Sequence, residues 1–169
     1  MRNKTTVRLT RLAMFLALGV LLNYAEAVLL PTAFLAPGVK LGIANTVGLI
    51  VLYYFGPKDY VLLGFLRVVM TSLFTGFGFN FLIGISGWLI ATIVVIVAVI
   101  YARLSIFGLS LMGAVAHGMG QILMVTVLYQ TPYMLNYLPI LIVTGSGAGL
   151  VIAYLSKQII QRVPDWSIQ

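Results

Sequence analysis

The chain has 169 residues, of which 62% are hydrophobic and only 8% are charged. A soluble domain carries about 25% charged residues, so this composition excludes a water-exposed globular protein, and the scarcity of charge also excludes a disordered one. Ten basic and three acidic residues give a net charge of +7, and cysteine is absent. In so apolar a chain the positive-inside rule explains the basic excess better than nucleic-acid binding does. We therefore predict an integral membrane protein in contact with the lipid bilayer, without disulfides.

Six apolar runs follow one another along the chain and are separated by short polar or Gly- and Pro-rich segments. They cover about residues 12–30, 39–55, 60–74, 81–102, 106–128 and 138–160. Their lengths approach the roughly 20 apolar residues that a membrane-spanning helix needs. Because the runs occupy almost the whole chain, we predict an all-α integral membrane protein with a single domain over residues 1–169, built as a six-transmembrane-helix bundle.

The basic residues predict the orientation of this bundle. With the N-terminus in the cytoplasm, eight of the ten basic residues lie on the cytoplasmic side, and only Lys40 and Arg67 depart from the pattern. We therefore predict that both termini are cytoplasmic in a multi-pass protein of the cell membrane, such as a bacterial plasma membrane. The first run, with Ala25-Glu26-Ala27 near its end, also resembles a signal peptide with its cleavage site. Because several more apolar runs follow it, we interpret it as an uncleaved first span.

Polar side chains in a bilayer are costly, so each one calls for a reason. Glu26 ends the first run and Lys40 begins the second, and between them lies the apolar segment 29–38 with two prolines. This segment is interpreted either as a lid over the bundle or as a plain interfacial turn. Glu26 and Lys40 are correspondingly either interfacial charges that face water, or a pair that lines an outward-facing cavity and meets a ligand.

Arg67 lies within the third run, roughly 10 Å from its start. Its guanidinium group stays charged, so it either snorkels to the cytoplasmic interface or binds helix-end carbonyls or a ligand. We predict a gating or structural role for this charge.

The fifth run carries His117 and Gln121 four residues apart, which places them on one helical face. His117 is either an interhelical hydrogen-bond donor or a ligand-binding group. The complete predicted substrate site, in the outer half of the bundle, consists of Glu26, Lys40, Asn45, Asn80, Trp88, His117 and Gln121.

Enzyme motifs are absent from the sequence, including a Walker lysine and a Ser-His-Asp set. The three carboxylates, Glu26, Asp59 and Asp165, are far apart in the predicted topology, so no pair serves acid–base chemistry or Mg²⁺ binding. A single histidine and no cysteine argue against a metal site. We predict that the chain is not an enzyme and holds no cofactor or metal.

Three segments together resemble a known family. They cover residues 37–45, 64–67 and 113–121, and they are similar to motifs of the Gx transporter family, which also bears the label heptaprenyl diphosphate synthase component I. Gly118 stands where this family often has Asn, which removes one polar contact. The family in turn resembles the substrate-binding S components of energy-coupling factor (ECF) transporters.

The resemblance implies a six-helix ECF S component whose first external loop lids the binding site. It implies that Ala13 and Ala17, an Ala-x-x-x-Ala stripe on the first helix, dock on a transmembrane coupling subunit. Two separate ATPase subunits would then power uptake of a vitamin or related small molecule. Two alternatives stay open: a membrane partner of a flavin- or quinone-linked redox or isoprenoid system, and a small proton-coupled secondary transporter using His117 or Glu26.

Overall fold

The computed structural model describes residues 4–29 and 42–163, and all regular secondary structure within these ranges is helical. The α-helices are α1 Lys4–Leu29, α2 Ala44–Phe55, α3 Pro57–Thr75, α4 Phe79–Val97, α5 Ile106–Tyr129 and α6 Leu138–Arg162. A π-helical turn, Ala98–Ala102, extends α4, and a 3₁₀-helix, Pro132–Tyr137, precedes α6. The prediction of an all-helical chain is confirmed over the described residues.

Four helical segments are long and apolar enough to cross a membrane. They are Lys4–Glu26, Phe79–Ala102, Ile106–Tyr129 and Pro132–Arg162. The other two α-helices differ from these in length or charge. Helix α2 has 12 residues, or about 18 Å against a hydrocarbon core of roughly 30 Å. Helix α3 has 19 residues but carries Lys58, Asp59 and Arg67.

The helix boundaries differ from the apolar runs mainly at the starts of α1 and α2. Helix α1 begins at Lys4 and so includes Lys4, Arg8 and Arg11, three of the basic residues before the first run, because Lys and Arg are good helix formers. Helix α2 begins at Ala44 because Gly42 has a φ of 73°, a left-handed conformation that glycine adopts without strain. The structure therefore places the N-terminus of α2 several residues after the start of the predicted run.

The described ends of the chain lie at the same end of the bundle. The Arg8 guanidinium near the start of α1 contacts the Asp59 carboxylate at the start of α3, with 2.6 Å between Nη2 and Oδ2. The Tyr54 hydroxyl at the end of α2 donates to the carbonyls of Ile160 and Val163, both at 3.2 Å. We call this the basic end, because Lys58, Arg103, Lys157 and Arg162 also lie at helix ends there.

Helices α4, α5 and α6 pack closely because glycine backbones face neighbouring backbones. A Cβ on Gly120 of α5 would lie 2.7 Å from the Ser86 carbonyl oxygen of α4, and the Ser86 hydroxyl donates to the Gly120 carbonyl at 2.8 Å. The α5–α6 crossing repeats this arrangement with Ser110 and Gly149, whose hydroxyl–carbonyl distance is 2.7 Å. Such crossings are typical of membrane helices, where small residues permit close approach.

Helix α1 lies at the edge of the bundle against α2 and α3. Its inner face includes Gly19, where an added Cβ would lie 3.3 Å from the Arg67 Cδ atom. Its outer face carries exposed side chains, among them Ala13 and Ala17. The predicted small-residue stripe therefore lies on a surface that no other described helix covers.

Candidate functional site

A central cavity of about 710 Å³ lies among the six α-helices, each of which contributes to its wall. Its volume falls in the range of small-molecule binding sites. Apolar atoms form most of the wall surface, but nearly half of the lining residues carry polar side chains, and these come from all six α-helices. We call it the main cavity.

Most of the predicted site residues meet in the main cavity. Its wall includes Glu26, Asn45, Asn80, His117 and Gln121. Asn80 is exposed at the end of the bundle opposite the basic end, whereas Gln121 is buried. Arg67, predicted as a gating or structural charge, also lines this cavity.

Two predicted site residues are placed differently. Trp88 lines a smaller neighbouring cavity instead of the main one, because it lies one helical turn closer to the basic end than the part of α4 that faces the main cavity. Lys40 falls outside the described residues, as does most of the predicted lid segment 29–38. The pairing of Lys40 with Glu26 and the lid therefore stay predictions.

Glu26 binds the backbone before the N-terminus of α2. Its Oε1 accepts from the Gly42 N–H at 2.6 Å and its Oε2 from the Ile43 N–H at 3.0 Å. The side chain is 4% exposed, so it is not an interfacial charge facing water. A carboxylate at a helix N-terminus satisfies free N–H groups and complements the helix dipole. Glu26 of α1 thus fixes where α2 begins.

Arg67 binds the same helix terminus from the opposite side. Its Nη1 donates to the Ala44 carbonyl at 2.6 Å and its Nη2 to the Asn45 Oδ1 atom at 2.8 Å. The residue is 8% exposed, so it does not snorkel to an interface. Of the alternatives left open by the sequence, binding to helix-end carbonyls is the one observed. The first turn of α2 is therefore held between a carboxylate and a guanidinium group.

His117 and Gln121 share a face of α5 beside the backbone of α4. A Cβ on Gly87 would lie 2.8 Å from the Gln121 Cγ atom and 2.9 Å from the His117 Cε1 atom. Glycine at position 87 therefore leaves room for both side chains at the α4–α5 contact. Their predicted common face is confirmed by the cavity that both of them line.

A second cavity of about 50 Å³ adjoins the main cavity on the side of the basic end, and we call it the inner cavity. The two cavities share Asn45, Arg67 and His117 as wall residues. The inner cavity is also lined by Trp88 and Thr92, and within the described residues the Trp88 Nε1 and Thr92 Oγ1 atoms are buried without a hydrogen-bond partner. These unpaired polar atoms distinguish it from a packing gap between apolar side chains.

Several lining residues were missed by the sequence prediction, although helical spacing connects them to residues that it included. Asn23 lies three residues before Glu26, Thr71 four residues after Arg67, and Thr92 four residues after Trp88. Residues three or four apart share a helical face, so this spacing was the available signal. Hydroxyl and amide side chains cost less to bury in a bilayer than charged ones, so in an apolar sequence they indicate a site less strongly.

The polar groups of the main cavity come from several types of side chain. Across the ranges 4–29 and 42–163 the structure contains no cluster of three or more His, Cys, Asp or Glu residues able to hold a metal ion. Both oxygens of Glu26 are occupied by backbone N–H groups. The cavity wall combines apolar side chains with amide, hydroxyl and imidazole groups and with the Arg67 guanidinium group.

The family described as heptaprenyl diphosphate synthase component I matches this chain over residues 15–159. No curated protein and no solved structure was found to match. The match covers most of the chain and names the family that segments 37–45, 64–67 and 113–121 resemble, so the predicted resemblance is confirmed. The chain therefore belongs to the heptaprenyl diphosphate synthase component I family.

Proposed function

We propose that the protein is the substrate-binding S component of an ECF-type transporter in the cell membrane. It would bind a vitamin or related small molecule for uptake. The observation that carries this proposal is the main cavity of about 710 Å³, which all six α-helices line and into which polar groups converge.

The proposal includes a topology of six spans with both termini in the cytoplasm. The basic end then faces the cytoplasm, as the positive-inside rule requires, and the main cavity lies toward the outer side. Helix α2, with 12 residues, is counted as one of the six spans. The charges of α3 are accommodated because Asp59 pairs with Arg8 and Arg67 binds the turn of α2.

The energy for uptake is proposed to come from a transmembrane coupling subunit and two ATPase subunits. The exposed stripe of Ala13 and Ala17 supports a docking role for the outer face of α1, since small side chains let another helix approach closely. The family description names one component of a multicomponent system, which agrees with partner subunits.

We further propose that the chain itself is not an enzyme. Prenyl-transfer chemistry needs carboxylates that hold Mg²⁺ against a diphosphate. Both carboxylate oxygens of Glu26 accept hydrogen bonds from the backbone before α2, and Asp59 lies at the basic end in contact with Arg8. These two carboxylates therefore do not share a substrate.

Docking on the coupling subunit is tested by enlarging the stripe. We expect Ala13→Trp to lower recovery of co-expressed coupling and ATPase subunits with the tagged chain by about tenfold, because a large side chain prevents close helix approach. The measurement is the amount of each subunit after affinity purification. Val143→Trp on α6, where the native side chain is 71% exposed, is the matched control and should leave recovery unchanged.

Equal recovery with both variants would contradict docking through α1.

Substrate binding is tested separately by mass spectrometry of the purified and then denatured protein, which should release a small molecule in near-stoichiometric amount. A protein that carries no ligand and recovers no ATPase subunit would refute the proposed function. Recovery of a redox subunit instead would favour the redox-partner alternative.

A further inference from the structure

We propose that the inner cavity is an anion subsite, which receives a negatively charged oxygen group of the ligand, a carboxylate or a phosphate, beside Arg67. This inference rests on the proposed binding function. It specifies the ligand as a small molecule with one anionic end and a larger, mainly apolar body.

The first argument is the charge of Arg67. Its two bonding partners, the Ala44 carbonyl and the Asn45 side-chain amide oxygen, are both neutral. Among the described residues the one ion pair within 4.0 Å joins Arg8 to Asp59 at the basic end. Glu26 is near enough to attract the guanidinium group electrostatically, but its oxygens accept hydrogen bonds from the backbone N–H groups of Gly42 and Ile43 and none from Arg67. A buried guanidinium group whose direct hydrogen-bond partners are all neutral is suited to bind an anionic oxygen group as a direct partner.

The second argument is the pair of unpartnered polar groups. Thr92 is 6% exposed, and neither its hydroxyl nor the Trp88 Nε1–H has a hydrogen-bond partner in the part of the chain that the structure describes. Such groups are costly to bury unpaired. The Tyr60 hydroxyl also lines this cavity, close to Thr92 and Arg67. The indole N–H and the guanidinium group can only donate, so a ligand group that binds to them must accept hydrogen bonds.

The orientation of the indole is fixed by close packing. A Cβ on Gly64 of α3 would collide with the Trp88 Nε1 atom, so a glycine is required where the indole edge passes α3. Trp88 also packs against Phe65, with 5.7 Å between the ring centroids. The donor is therefore held in place before a ligand arrives.

The third argument is size. One water needs roughly 10–15 Å³ of cavity in this measure, so the inner cavity of about 50 Å³ accommodates a group of a few heavy atoms and excludes a ring system. The rest of the ligand extends into the main cavity, which shares Asn45, Arg67 and His117 with the inner one. The two cavities together therefore fit a ligand with a small anionic group in the inner cavity and a larger remainder in the main cavity.

Trp88 provides a direct probe of this subsite. The chain has two tryptophans, so Trp166→Phe leaves Trp88 as the only one. Iodide, a small anion, and acrylamide, a neutral molecule, are compared as quenchers of its fluorescence at constant ionic strength. Mass spectrometry of the same preparation verifies that no ligand remains bound.

In the Trp166→Phe parent we expect iodide to quench the fluorescence of Trp88 saturably. The quenching efficiency should be about tenfold higher than in the same protein with the further substitution Arg67→Gln. Acrylamide should quench both proteins alike. Arg103→Gln, which removes an exposed positive charge, is the charge-matched control and should behave like the parent. Acetate or inorganic phosphate should protect against iodide, and neutral acetamide should not. Protection by acetate alone assigns a carboxylate, and protection by phosphate alone assigns a phosphate.

The inference is overturned if neither acetate nor phosphate protects Trp88, or if iodide quenches the parent and Arg67→Gln equally. If Arg67→Gln does not fold, the test uses the parent protein and the near-isosteric Thr92→Val variant. Acetate or phosphate should still protect Trp88 from iodide in the parent, and Thr92→Val should weaken this protection severalfold. Loss of anion protection with intact recovery of ATPase subunits would refute the subsite alone. Anion protection without ATPase recovery would refute the transporter assignment alone.

Discussion

Gly120→Ala is expected to lower the free energy of unfolding by roughly 3 kcal/mol, because it overpacks a contact between two backbones. The new methyl group would lie 2.7 Å from the Ser86 carbonyl oxygen and 2.8 Å from the Gly87 Cα atom. Neither atom belongs to a flexible side chain, so the helices α4 and α5 must separate. The separation would also stretch the hydrogen bond from the Ser86 hydroxyl to the Gly120 carbonyl.

Gly118→Ala on the same helix is the matched control. A Cβ there would lie 3.7 Å from the Leu141 Cβ atom, an ordinary van der Waals distance. We expect it to be neutral or to stabilise by up to about 1 kcal/mol, since alanine is the better helix former. Denaturation in mixed detergent micelles, followed by circular dichroism, measures both. Equal stability of the two variants would show that α4 and α5 do not meet at Gly120.

The sequence predicted the helices well because length and hydropathy decide them. The six apolar runs became six α-helices, and the turns fall at Gly56, Gly76 and the segment before Pro132, where backbone conformation favours Gly or Pro. The start of α2 was wrong, since the apolar run continues through Gly42 and hydropathy does not register a left-handed residue. The positive φ at Gly42 prevents α2 from starting earlier, although the polarity of the sequence does not change there.

The site was predicted less completely, for a different physical reason. Charged residues are rare in a membrane sequence and are therefore easy to select as candidates. Two of them, Glu26 and Arg67, do line the main cavity. Apart from the Asn45 side chain, their partners are backbone groups at the start of α2. Because every residue has a backbone, the sequence contains no signal for these partners. The inner cavity was also missed, because it depends on how closely Trp88 of α4 passes Gly64 of α3.

Glu26→Ala is expected to cost about 3 kcal/mol of unfolding free energy, because two hydrogen bonds to a buried carboxylate are lost. The Gly42 and Ile43 N–H groups would then have no acceptor from Glu26. Glu26→Gln, whose amide oxygen can accept but carries no charge, should lose about half as much. Asp59→Asn at the basic end is the control, and it should cost about 1 kcal/mol or less, since its partner Arg8 is 49% exposed.

The same variant tests whether Glu26 and Arg67 act through the first turn of α2. The two side chains form no ion pair within 4.0 Å in the described structure, yet they bind consecutive backbone groups from Gly42 to Ala44. Removing Glu26 should loosen this turn and so weaken the bonds that Arg67 makes. A double-mutant cycle of Glu26→Ala and Arg67→Gln should therefore give a coupling energy of about 1 kcal/mol. Strict additivity would mean that each charge is held independently and that the turn does not connect them.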